Sequence, residues 1–357
     1  MKSISIIIGD ITKFGGTERA VSNLANLLAQ NYRICIISIY RPVSTVPQFL
    51  IDDRVTIKYL NKKVPDKKLK ILIQYFNIFF FLRRVIKQNG ADFVISTAHA
   101  FSFMLPLIVL FLKAKSIAAE HITRSSLPLF SRMLQRVSYP FIHAVVLLSE
   151  TARSRYLFCG NTFVIPNSLP FFSEKPAELN NKIIISVGRY SYEKGFDRLI
   201  EMADLMKRNF QGWKIMLYGS GLLEKELKKQ IEEKGLSEII LMHDVVNDIQ
   251  NEYLNSSIYL MTSRFEAFPM VLLEAKSCGL PVVAYNCPEG PREIIKNGYD
   301  GFLIEDGNAE SMIEKLSLLM FNDKLRMDIG MNARMSVADY MDEVIKEKWN
   351  NLLHRIS

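Results

Sequence analysis

Three short segments of the sequence combine glycines, cations and carboxylates in patterns that could bind a phosphorylated ligand. The first is Gly15-Gly16-Thr17-Glu18, in which two glycines allow the backbone to approach a ligand closely. A helix that begins at Thr17 would direct free N–H groups at that point, which is a common way to bind phosphate. A plain turn with Thr17 as the N-cap residue is the alternative interpretation.

A second segment, residues 188–195, places Arg189 and Lys194 five positions apart, after an apolar run and before a helical pattern. Two cations at the end of a strand and beside a helix N-terminus suit a diphosphate. Two solvated surface cations are the alternative. Because α/β proteins bind ligands at the carboxyl ends of their strands, we favour the diphosphate interpretation.

The third segment contains two glutamates with seven residues between them, Glu266 and Glu274. Residues 270–278 have a helical pattern that ends before Gly279, so Glu266 lies in the loop ahead of the helix and Glu274 within it. The neighbours of Glu274 are apolar, and a buried carboxylate needs hydrogen-bond partners. Hydroxyls of a sugar or ribose could supply them, and a salt bridge to a nearby lysine is the alternative.

The elements that position these segments alternate between strand and helix. In the N-terminal half, short apolar runs alternate with segments of helical period such as residues 17–30, which predicts a parallel, doubly wound sheet. The predicted strands there are Ser3–Ile8, Arg33–Tyr40, residues 55–60, Phe93–Ser96, residues 116–119 and residues 144–148.

The alternation begins again in the second half and predicts a second α/β domain. We expect an N-terminal domain at residues 1–168, a linker at 169–182, a C-terminal domain at 183–337, and a helix at 338–357 that returns to the N-terminal domain. One more short strand is predicted at residues 163–165, before the linker. The strands predicted after it are Ile183–Val187, Lys214–Tyr218, residues 239–242, Ile258–Met261, residues 281–284 and Gly301–Ile304, and the predicted helices include residues 194–209 and 222–234.

The motifs, in the order in which they follow one another along the chain, resemble those of the retaining glycosyltransferases of family 4. These enzymes have the GT-B fold and use nucleotide-sugar donors. The resemblance extends over nearly the whole chain and includes Ile165-Pro166-Asn167, residues 279–284 and residues 297–301. It implies two Rossmann-like doubly wound domains facing across a cleft. It also implies a hexosyltransferase that moves a hexose or N-acetylhexosamine to a glycan, polyprenyl-linked or other lipid acceptor. Such transfer serves cell-surface polysaccharide synthesis, for example of lipopolysaccharide or capsule.

The resemblance further implies a role for residues that contact the donor. Arg189 and Lys194 would hold the diphosphate, and Gly15 and Gly16 would let the N-terminal loop close on it. Glu274 would accept hydrogen bonds from the ribose hydroxyls.

The same resemblance names the residues nearest the reacting sugar. Glu266 would lie beside the transferred sugar, and His121 matches the active-site histidine of the family. Family members often have a glycine-aromatic pair near the base, and this chain departs from that pattern with residues 243–246. Val246 is the candidate base contact in this loop. The backbone that would approach the sugar and phosphate is that of Phe268, Pro269, Met270 and Val271.

Two further features concern the donor and its metal requirement. Residues 287–295 resemble a variant found among enzymes that use UDP-galactose or UDP-N-acetylhexosamine, which favours a UDP-linked donor. The sequence has no Asp-x-Asp motif for a donor-bound divalent ion, so we expect neither a metal nor another cofactor. Arg189, Lys194 and the helix N-terminus at Met270 would then meet the charge of the leaving diphosphate. The resemblance favours front-face attack.

The net charge of +8 is unevenly distributed along the 357 residues. Residues 1–175 carry 23 Lys and Arg against 9 Asp and Glu, whereas residues 176–357 carry 22 against 28. An anionic membrane or a nucleic acid would explain the basic half, and chance variation is the alternative. Residues 66–89 suit an interfacial helix on anionic lipid or, equally, a core helix with solvated ends. Arg124, Arg132 and Arg136 could serve an anionic acceptor such as a lipid pyrophosphate.

Composition limits the remaining function classes. A nucleic-acid-binding protein would leave the Glu266 and Glu274 pair unexplained, so we expect no nucleic-acid partner. A non-catalytic nucleotide-sugar-binding protein stays open as an alternative. Four scattered cysteines fit a reducing compartment, and no apolar run reaches the ~20 residues of a membrane span or forms an export signal. We therefore expect a cytoplasmic protein with peripheral contact to the inner face of the cytoplasmic membrane.

Overall fold

A computed structural model describes residues 1–63 and 68–357 of the chain. The first residues of the proposed interfacial segment, Asp66 and Lys67, therefore lie outside the described residues. The chain divides into two compact units. The first unit comprises Met1–Ser168 with Asp342–Ser357, and the second comprises Leu169–Met341.

The first unit is built on a seven-stranded parallel sheet. Its strands are β1 Ser3–Ile8, β2 Arg33–Tyr40, β3 Thr56–Lys62, β4 Phe93–Ser96, β5 Lys115–Ala119, β6 Ala144–Leu147 and β7 Thr162–Val164. Their order is β3-β2-β1-β4-β5-β6-β7. The chain adds β2 and β3 on one side of β1 and the later strands on the other, so the switch point lies between β1 and β4. β1 is buried along its whole length, as expected for a strand that is covered on both faces.

The second unit repeats this arrangement with six parallel strands. They are β8 Ile183–Val187, β9 Lys214–Tyr218, β10 Ile240–His243, β11 Ile258–Met261, β12 Val282–Tyr285 and β13 Gly301–Ile304. Their order is β10-β9-β8-β11-β12-β13, which places the switch point between β8 and β11. The predicted fold class of two Rossmann-like, doubly wound α/β domains is confirmed.

Helices cover both faces of each sheet. In the first unit they are α1 Gly16–Leu28, α2 Lys68–Asn89, α3 His99–Ser102, α4 Leu105–Val109, α5 Leu129–Ser138, α6 Glu150–Arg153 and α14 Asp342–Arg355. In the second unit they are α7 Phe196–Leu205, α8 Glu224–Glu233, α9 Ile249–Leu254, α10 Met270–Ser277, α11 Pro291–Ile294, α12 Ala309–Phe321 and α13 Asp323–Ser336. None of the helices in the described part of the chain is long and apolar enough to span a bilayer.

The first sheet has a separate hydrophobic core on each face, because successive strand residues point in opposite directions. Ile6 faces the core that α1 and α14 complete, to which α14 contributes Trp349. Ile7 faces the other core, where α2 contributes Ile78 and Leu82 and α4 contributes Ile108.

The structure corrects several predicted boundaries. The helix predicted at residues 194–209 is interrupted, because Gly195 adopts a left-handed conformation with φ 64° and α7 starts only after it. The helix predicted from residue 338 begins at Asp342, after a 3-10 turn at Val337–Tyr340. The alternative that made Thr17 an N-cap is wrong, because Gly15 occupies the N-cap position of α1.

Candidate functional site

Two loops meet at the switch point of the second sheet, one after β8 and one after β11. Lys194 Nζ donates a hydrogen bond of 2.6 Å to Glu266 Oε1. Ser263 Oγ donates a second hydrogen bond, of 2.8 Å, to the same carboxylate oxygen. Both charged side chains are partly buried. Because β8 and β11 are neighbours in the sheet, the structure brings together a cation and a carboxylate that are far apart in the sequence.

Glycines allow these two loops to approach each other. A Cβ at Gly188 would stand 3.3 Å from Lys194 Cδ, so the glycine lets the lysine stem lie against the backbone. A Cβ at Gly195 would collide with the Thr262 carbonyl oxygen. Thr262 Oγ1 also donates to the Gly195 carbonyl oxygen at 2.9 Å. Both the positive φ of Gly195 and the close packing therefore require glycine.

Arg264, in the loop after β11, binds to residues of the loop after β8 and of the start of α7. Its guanidinium donates two hydrogen bonds, of 2.7 and 2.5 Å, to the carboxylate of Asp197 at the start of α7. It also donates to the Tyr192 carbonyl oxygen at 3.0 Å and lies 4.2 Å from the Tyr192 ring centroid. The hydrogen bonds from Arg264 lower the pKa of Asp197. The sequence interpretation missed this pair, and its only sequence signal is a basic residue two positions before Glu266.

Arg189, the second predicted diphosphate ligand, lies in the same loop and is exposed. Its electrostatic influence is visible at Glu193. A hydrogen bond from Ser191 is the main cause that lowers the pKa of Glu193, and the charges of Arg189 and Lys194 act in the same direction. The two predicted diphosphate ligands therefore share one neighbourhood.

The start of α10 adjoins the Glu266 loop. Pro269 is the N-cap residue, and no side chain caps the first turn, whose N–H groups favour an anion. A Cβ at Gly290 would collide with Pro269 Cδ, and the Gly290 N–H donates to the Glu266 carbonyl oxygen at 3.0 Å. Glu289 is buried and has φ 77°, a conformation rare for residues other than glycine. Residues 287–290 therefore support the backbone that the sequence interpretation assigned to sugar and phosphate.

Glu274 lies inside α10 with only 1% of its surface exposed. Tyr253 OH donates a hydrogen bond of 3.1 Å to Glu274 Oε2. The lysine of the same helix, Lys276, pairs with the fully buried Asp300 at 3.0 Å. Burial, followed by the charges of Glu266 and Glu274, raises the pKa of Tyr259 well above its usual value. Tyr259 is therefore neutral and close to both predicted carboxylates.

A third loop, residues 219–221 after β9, supports the loop after β8. Added Cβ atoms at Gly219 and Gly221 would collide with the Gly188 and Tyr190 carbonyl oxygens. The hydroxyl oxygen of the buried Tyr190 lies 3.0 Å from Leu217 O, and its N–H donates to Ser220 O at 2.9 Å. The Gly-Ser-Gly sequence after a predicted strand could have indicated this supporting loop, but it was not among the predicted motifs.

Val246, the predicted base contact, follows β10 at the edge of the second sheet. It is partly buried and lies three residues beyond His243. The His243 ring stacks on the Tyr218 ring at 4.9 Å, and the His243 carbonyl accepts a 2.7 Å hydrogen bond from Tyr190 OH. The loop that contains Val246 is thus anchored to the same carboxyl edge as the Lys194 loop.

In the first unit, Gly15 and Gly16 lie where the loop after β1 enters α1. Gly15 is extended, with φ −160°, a conformation that any residue adopts. A Cβ at Gly16 would meet nothing within 4 Å. Neither the φ of Gly15 nor the neighbours of Gly16 require glycine, and the missing side chain at Gly16 leaves open space beside the helix start.

His121 follows β5 and is partly buried. Its Nδ1 is buried and has no hydrogen-bond partner among the described residues. Burial lowers the pKa of His121 to about 4, so the imidazole is neutral at pH 7. His121 lines a cavity of about 20 Å³ together with Pro166 and Asn167, so the structure brings two predicted motifs together. A cavity of this size holds one water molecule.

Glu120, immediately before His121, is a buried carboxyl that the sequence interpretation missed. It is 4% exposed, and its Oε1 accepts a hydrogen bond from Tyr139 OH. Tyr139 OH in turn accepts a hydrogen bond of 3.2 Å from Gln135 Nε2 of α5. Burial raises the pKa of Glu120 to about 7. A hydrogen bond from Tyr139, rather than an ion pair, therefore holds the Glu120 carboxyl in place beside His121 in the part of the chain that the structure describes.

Comparison with known proteins places this site in a family. Residues 170–336 match the family model described as glycosyl transferases group 1, and this range contains the site of the second unit. An uncharacterized glycosyltransferase of Haemophilus influenzae is 32% identical over 99% of this chain and all of the relative. The amylovoran biosynthesis glycosyltransferase AmsD of Erwinia amylovora is 30% identical, again over 99% of this chain and all of the relative. A Campylobacter jejuni α-1,4-N-acetyl-D-galactosaminyltransferase, named for a diphospho-undecaprenol-linked substrate, is 26% identical over 100% of this chain and 99% of its own.

Solved structures show the same fold at lower identity. Staphylococcus aureus TarM in a complex with UDP has a TM-score of 0.83 at 17% identity, covering 99% of this chain and all of TarM. Anabaena HepE in complex with UDP has a TM-score of 0.80 at 17% identity, with coverage of 99% and 100%. The chain belongs to the glycosyltransferases and has the GT-B fold.

Proposed function

We propose that the chain is a retaining glycosyltransferase of family 4. It moves a hexose or N-acetylhexosamine from a UDP-linked donor to a glycan or polyprenyl-linked acceptor during cell-surface polysaccharide synthesis. The observation that carries this proposal is the contact between Lys194 and Glu266 at the switch point, beside the uncapped start of α10. The names of the Erwinia and Campylobacter relatives support the acceptor class, and the UDP bound to TarM and HepE supports the donor class.

The donor diphosphate is proposed to bind Lys194, Arg189 and the first turn of α10. A lysine ammonium has three N–H donors, and Glu266 takes one of them in this structure. The others can reach phosphate oxygens, and the helix N-terminus adds partial positive charge. Glu274 is proposed to accept hydrogen bonds from the ribose, with Tyr253 holding one carboxylate oxygen in place.

Front-face attack is proposed for the transfer step. The bond between the anomeric carbon and the diphosphate breaks, and the acceptor oxygen bonds to the same face of that carbon. The acceptor hydroxyl proton passes to the departing phosphate oxygen, so atoms and charge balance. Glu266 Oε1 already accepts hydrogen bonds from a cation and a hydroxyl, which makes it a weak nucleophile for double displacement. Its proposed role is to orient Lys194 and the sugar.

The first unit is proposed to contribute His121, Gly15 and Gly16 to the same reaction. The imidazole of His121 is neutral at pH 7, so it can donate or accept one hydrogen bond with sugar hydroxyls without adding charge. Replacement by Asn, His121→Asn, is expected to lower the transfer rate while UDP binding persists.

The first experiment is a thermal-shift series with UDP, other nucleoside diphosphates and UDP-sugars, followed by NMR of the transfer product. Saturating ligand at 100 times its Kd stabilises the fold by ~2.7 kcal/mol, which a thermal shift detects. UDP selectivity together with a product of retained anomeric configuration supports the proposal. Binding without turnover would indicate the non-catalytic binder, and an inverted product would exclude the retaining assignment.

A further inference from the structure

The two helical layers that cover the first sheet differ in what they show to solvent. No large apolar side chain is exposed in α1 or α14, both of which lie wholly within the described chain. The layer formed by α2, α4 and α5 exposes many, and those of α5 and of the turn after α4 stand out. We call this set the outer apolar face, and it consists of Leu110, Phe111, Leu129, Phe130, Met133 and Val137.

Helix α5 is oriented opposite to the usual surface helix. Its buried residue is the polar Gln135, whereas Leu129, Phe130, Met133 and Val137 are 67–71% exposed. A surface helix of a globular domain normally turns its apolar stripe toward the core. A contiguous exposed apolar surface marks an interaction site. The orientation of α5 therefore points to a partner on its outer side.

The turn after α4 presents a second apolar element beside α5. Phe111 is 92% exposed and has φ 60°, a left-handed conformation that is an outlier for a bulky residue. A hydrogen bond of 2.8 Å from the Leu112 N–H to Val109 O closes this turn. Leu110 and Phe111 line, with Val137 and Phe141, an open recess of about 640 Å³. The structure thus holds a phenyl ring outward at a strained position, which is where functional strain is commonly found.

The segment that contains the outer apolar face has exposed charges of one sign. Arg136 of α5 and Lys113 after the turn are exposed, and Arg132 and Lys115 are partly so. Between residues 93 and 149 the sequence has a single acidic residue, Glu120, which is buried. Apolar side chains with cations around them and no exposed carboxylate match the boundary between anionic headgroups and acyl chains.

We propose that the outer apolar face docks the protein on an anionic lipid bilayer. Phe111 and Phe130 enter the region between headgroups and acyl chains, and Arg132, Arg136 and Lys113 contact lipid phosphates. The docking surface adds a membrane contact to the proposed function. It rests on that function in one respect, which is that a lipid-linked acceptor lies at a membrane. Helix α2 buries Ile78 and Leu82 in the core but exposes Phe76 and Phe80, so the contact expected at residues 66–89 stays a separate prediction.

Vesicle co-sedimentation of the full chain tests the docking surface. The vesicles contain phosphatidylcholine alone or with about 30% phosphatidylglycerol, at about 0.05 M and 0.5 M salt. Because neither donor nor acceptor lipid is present, the result is independent of glycosyl transfer. We expect binding to the anionic vesicles at low salt and a loss of about tenfold or more in Phe130→Asp/Val137→Asp. The matched control Leu205→Asp/Leu222→Asp, which changes exposed leucines of the second unit, should bind like the wild type.

Tryptophan substitution tests insertion directly. Both native tryptophans, Trp213 and Trp349, are buried and give a constant background. Phe111→Trp and Phe130→Trp should shift their emission to the blue on anionic vesicles, whereas Leu222→Trp should not. UDP binding by Phe130→Asp/Val137→Asp shows that this variant is folded.

Three results would overturn the docking surface. One is absence of vesicle binding at low salt, and another is equal binding by Phe130→Asp/Val137→Asp and the wild type. The third is a dimer in sedimentation velocity that Phe130→Asp dissociates while vesicle binding is absent, since this would assign the face to a second copy of the chain.

Discussion

Both units place their candidate site residues after the strands of a parallel sheet with the same order around its switch point, yet the two sets differ in charge. In the second unit, Lys194 and Glu266 form a direct ion pair, and Arg264 pairs with Asp197. In the first unit, burial pushes the pKa of Glu120 up to about 7 and that of His121 down to about 4. One site is a network of paired charges, and the other favours neutral forms of its titratable groups.

The contrast in charge indicates what each sheet edge can bind. A diphosphate needs fixed positive charge, which the second unit supplies with cations that carboxylates hold in position. A neutral imidazole beside a buried carboxyl suits hydroxyl groups of a sugar, which gain hydrogen bonds without ion pairing. Four predictions test this contrast, in order of decreasing effect.

The largest effect is expected for Lys194→Ala. Loss of one charge-assisted contact to the leaving diphosphate should lower kcat by about 10²- to 10³-fold, equivalent to roughly 3–4 kcal/mol. Steady-state transfer from a UDP-sugar measures it. Lys228→Ala, which breaks the exposed pair with Glu224 on α8, is the matched control and should change kcat little.

The double variant Lys194→Ala/Glu266→Gln separates catalysis from folding. Removing both charges should restore the thermal stability that Lys194→Ala loses, because no partly buried carboxylate is then left without its cation. Activity should stay low. Full activity in either variant would contradict the assignment of Lys194 to the diphosphate.

The second effect concerns stability against pH at Glu120. Its pKa is raised on folding, from an ordinary 4.5 to about 7, so the folded state binds the proton more tightly. Stability should therefore fall as pH rises from about 4.5 to 7 and then level off. Glu120→Gln should remove this loss and be more stable than the wild type by about 3 kcal/mol at pH 8, but not at pH 5.

Urea unfolding at pH 5 and pH 8 measures the Glu120 effect. The exposed Glu150 of α6 provides the control, since Glu150→Gln should show no such pH-dependent difference. An equal urea midpoint of Glu120→Gln and the wild type at pH 8 would show that folding does not raise the pKa of Glu120.

A smaller effect is expected for Tyr253→Phe. The variant removes the 3.1 Å hydrogen bond to Glu274 Oε2, while the ring and its packing remain. A hydrogen bond to a charged group contributes about 1.5–3 kcal/mol, part of which should appear as roughly tenfold weaker UDP binding. Titration calorimetry with UDP measures it, and Tyr299→Phe, with its partly exposed ring, is the control. Unchanged affinity would contradict the assignment of Glu274 to the ribose.

The smallest effect is expected for chelation. If Arg189, Lys194 and the α10 N-terminus meet the diphosphate charge, EDTA should leave the transfer rate within about twofold of its value with added Mg²⁺. If EDTA abolished transfer and a divalent ion restored it, a metal rather than these groups would compensate the charge of the diphosphate.

Much of the fold was predictable because local patterns and global structure agree. Buried, β-branched runs such as Ser3–Ile8 and Ile183–Val187 form strands at the predicted bounds. Helix limits were less predictable, since the break at Gly195 depends on a contact with Thr262 that lies far away in the sequence. The structure does not test the predicted binding and catalytic roles, which stay predictions. They concern Arg189, Lys194, Glu266, Glu274 and His121.

The alternation of strands and helices and the positions of the glycine, cation and glutamate motifs follow from the sequence, because periodicity and residue type are local properties. Tertiary structure alone decided which side chains meet. Lys194 reaches Glu266 because the switch point makes β8 and β11 neighbours, and Arg264 reaches Asp197 for the same reason. It also decided that Gln135 faces inward and Phe130 outward, since an amphipathic pattern does not state which face meets the core.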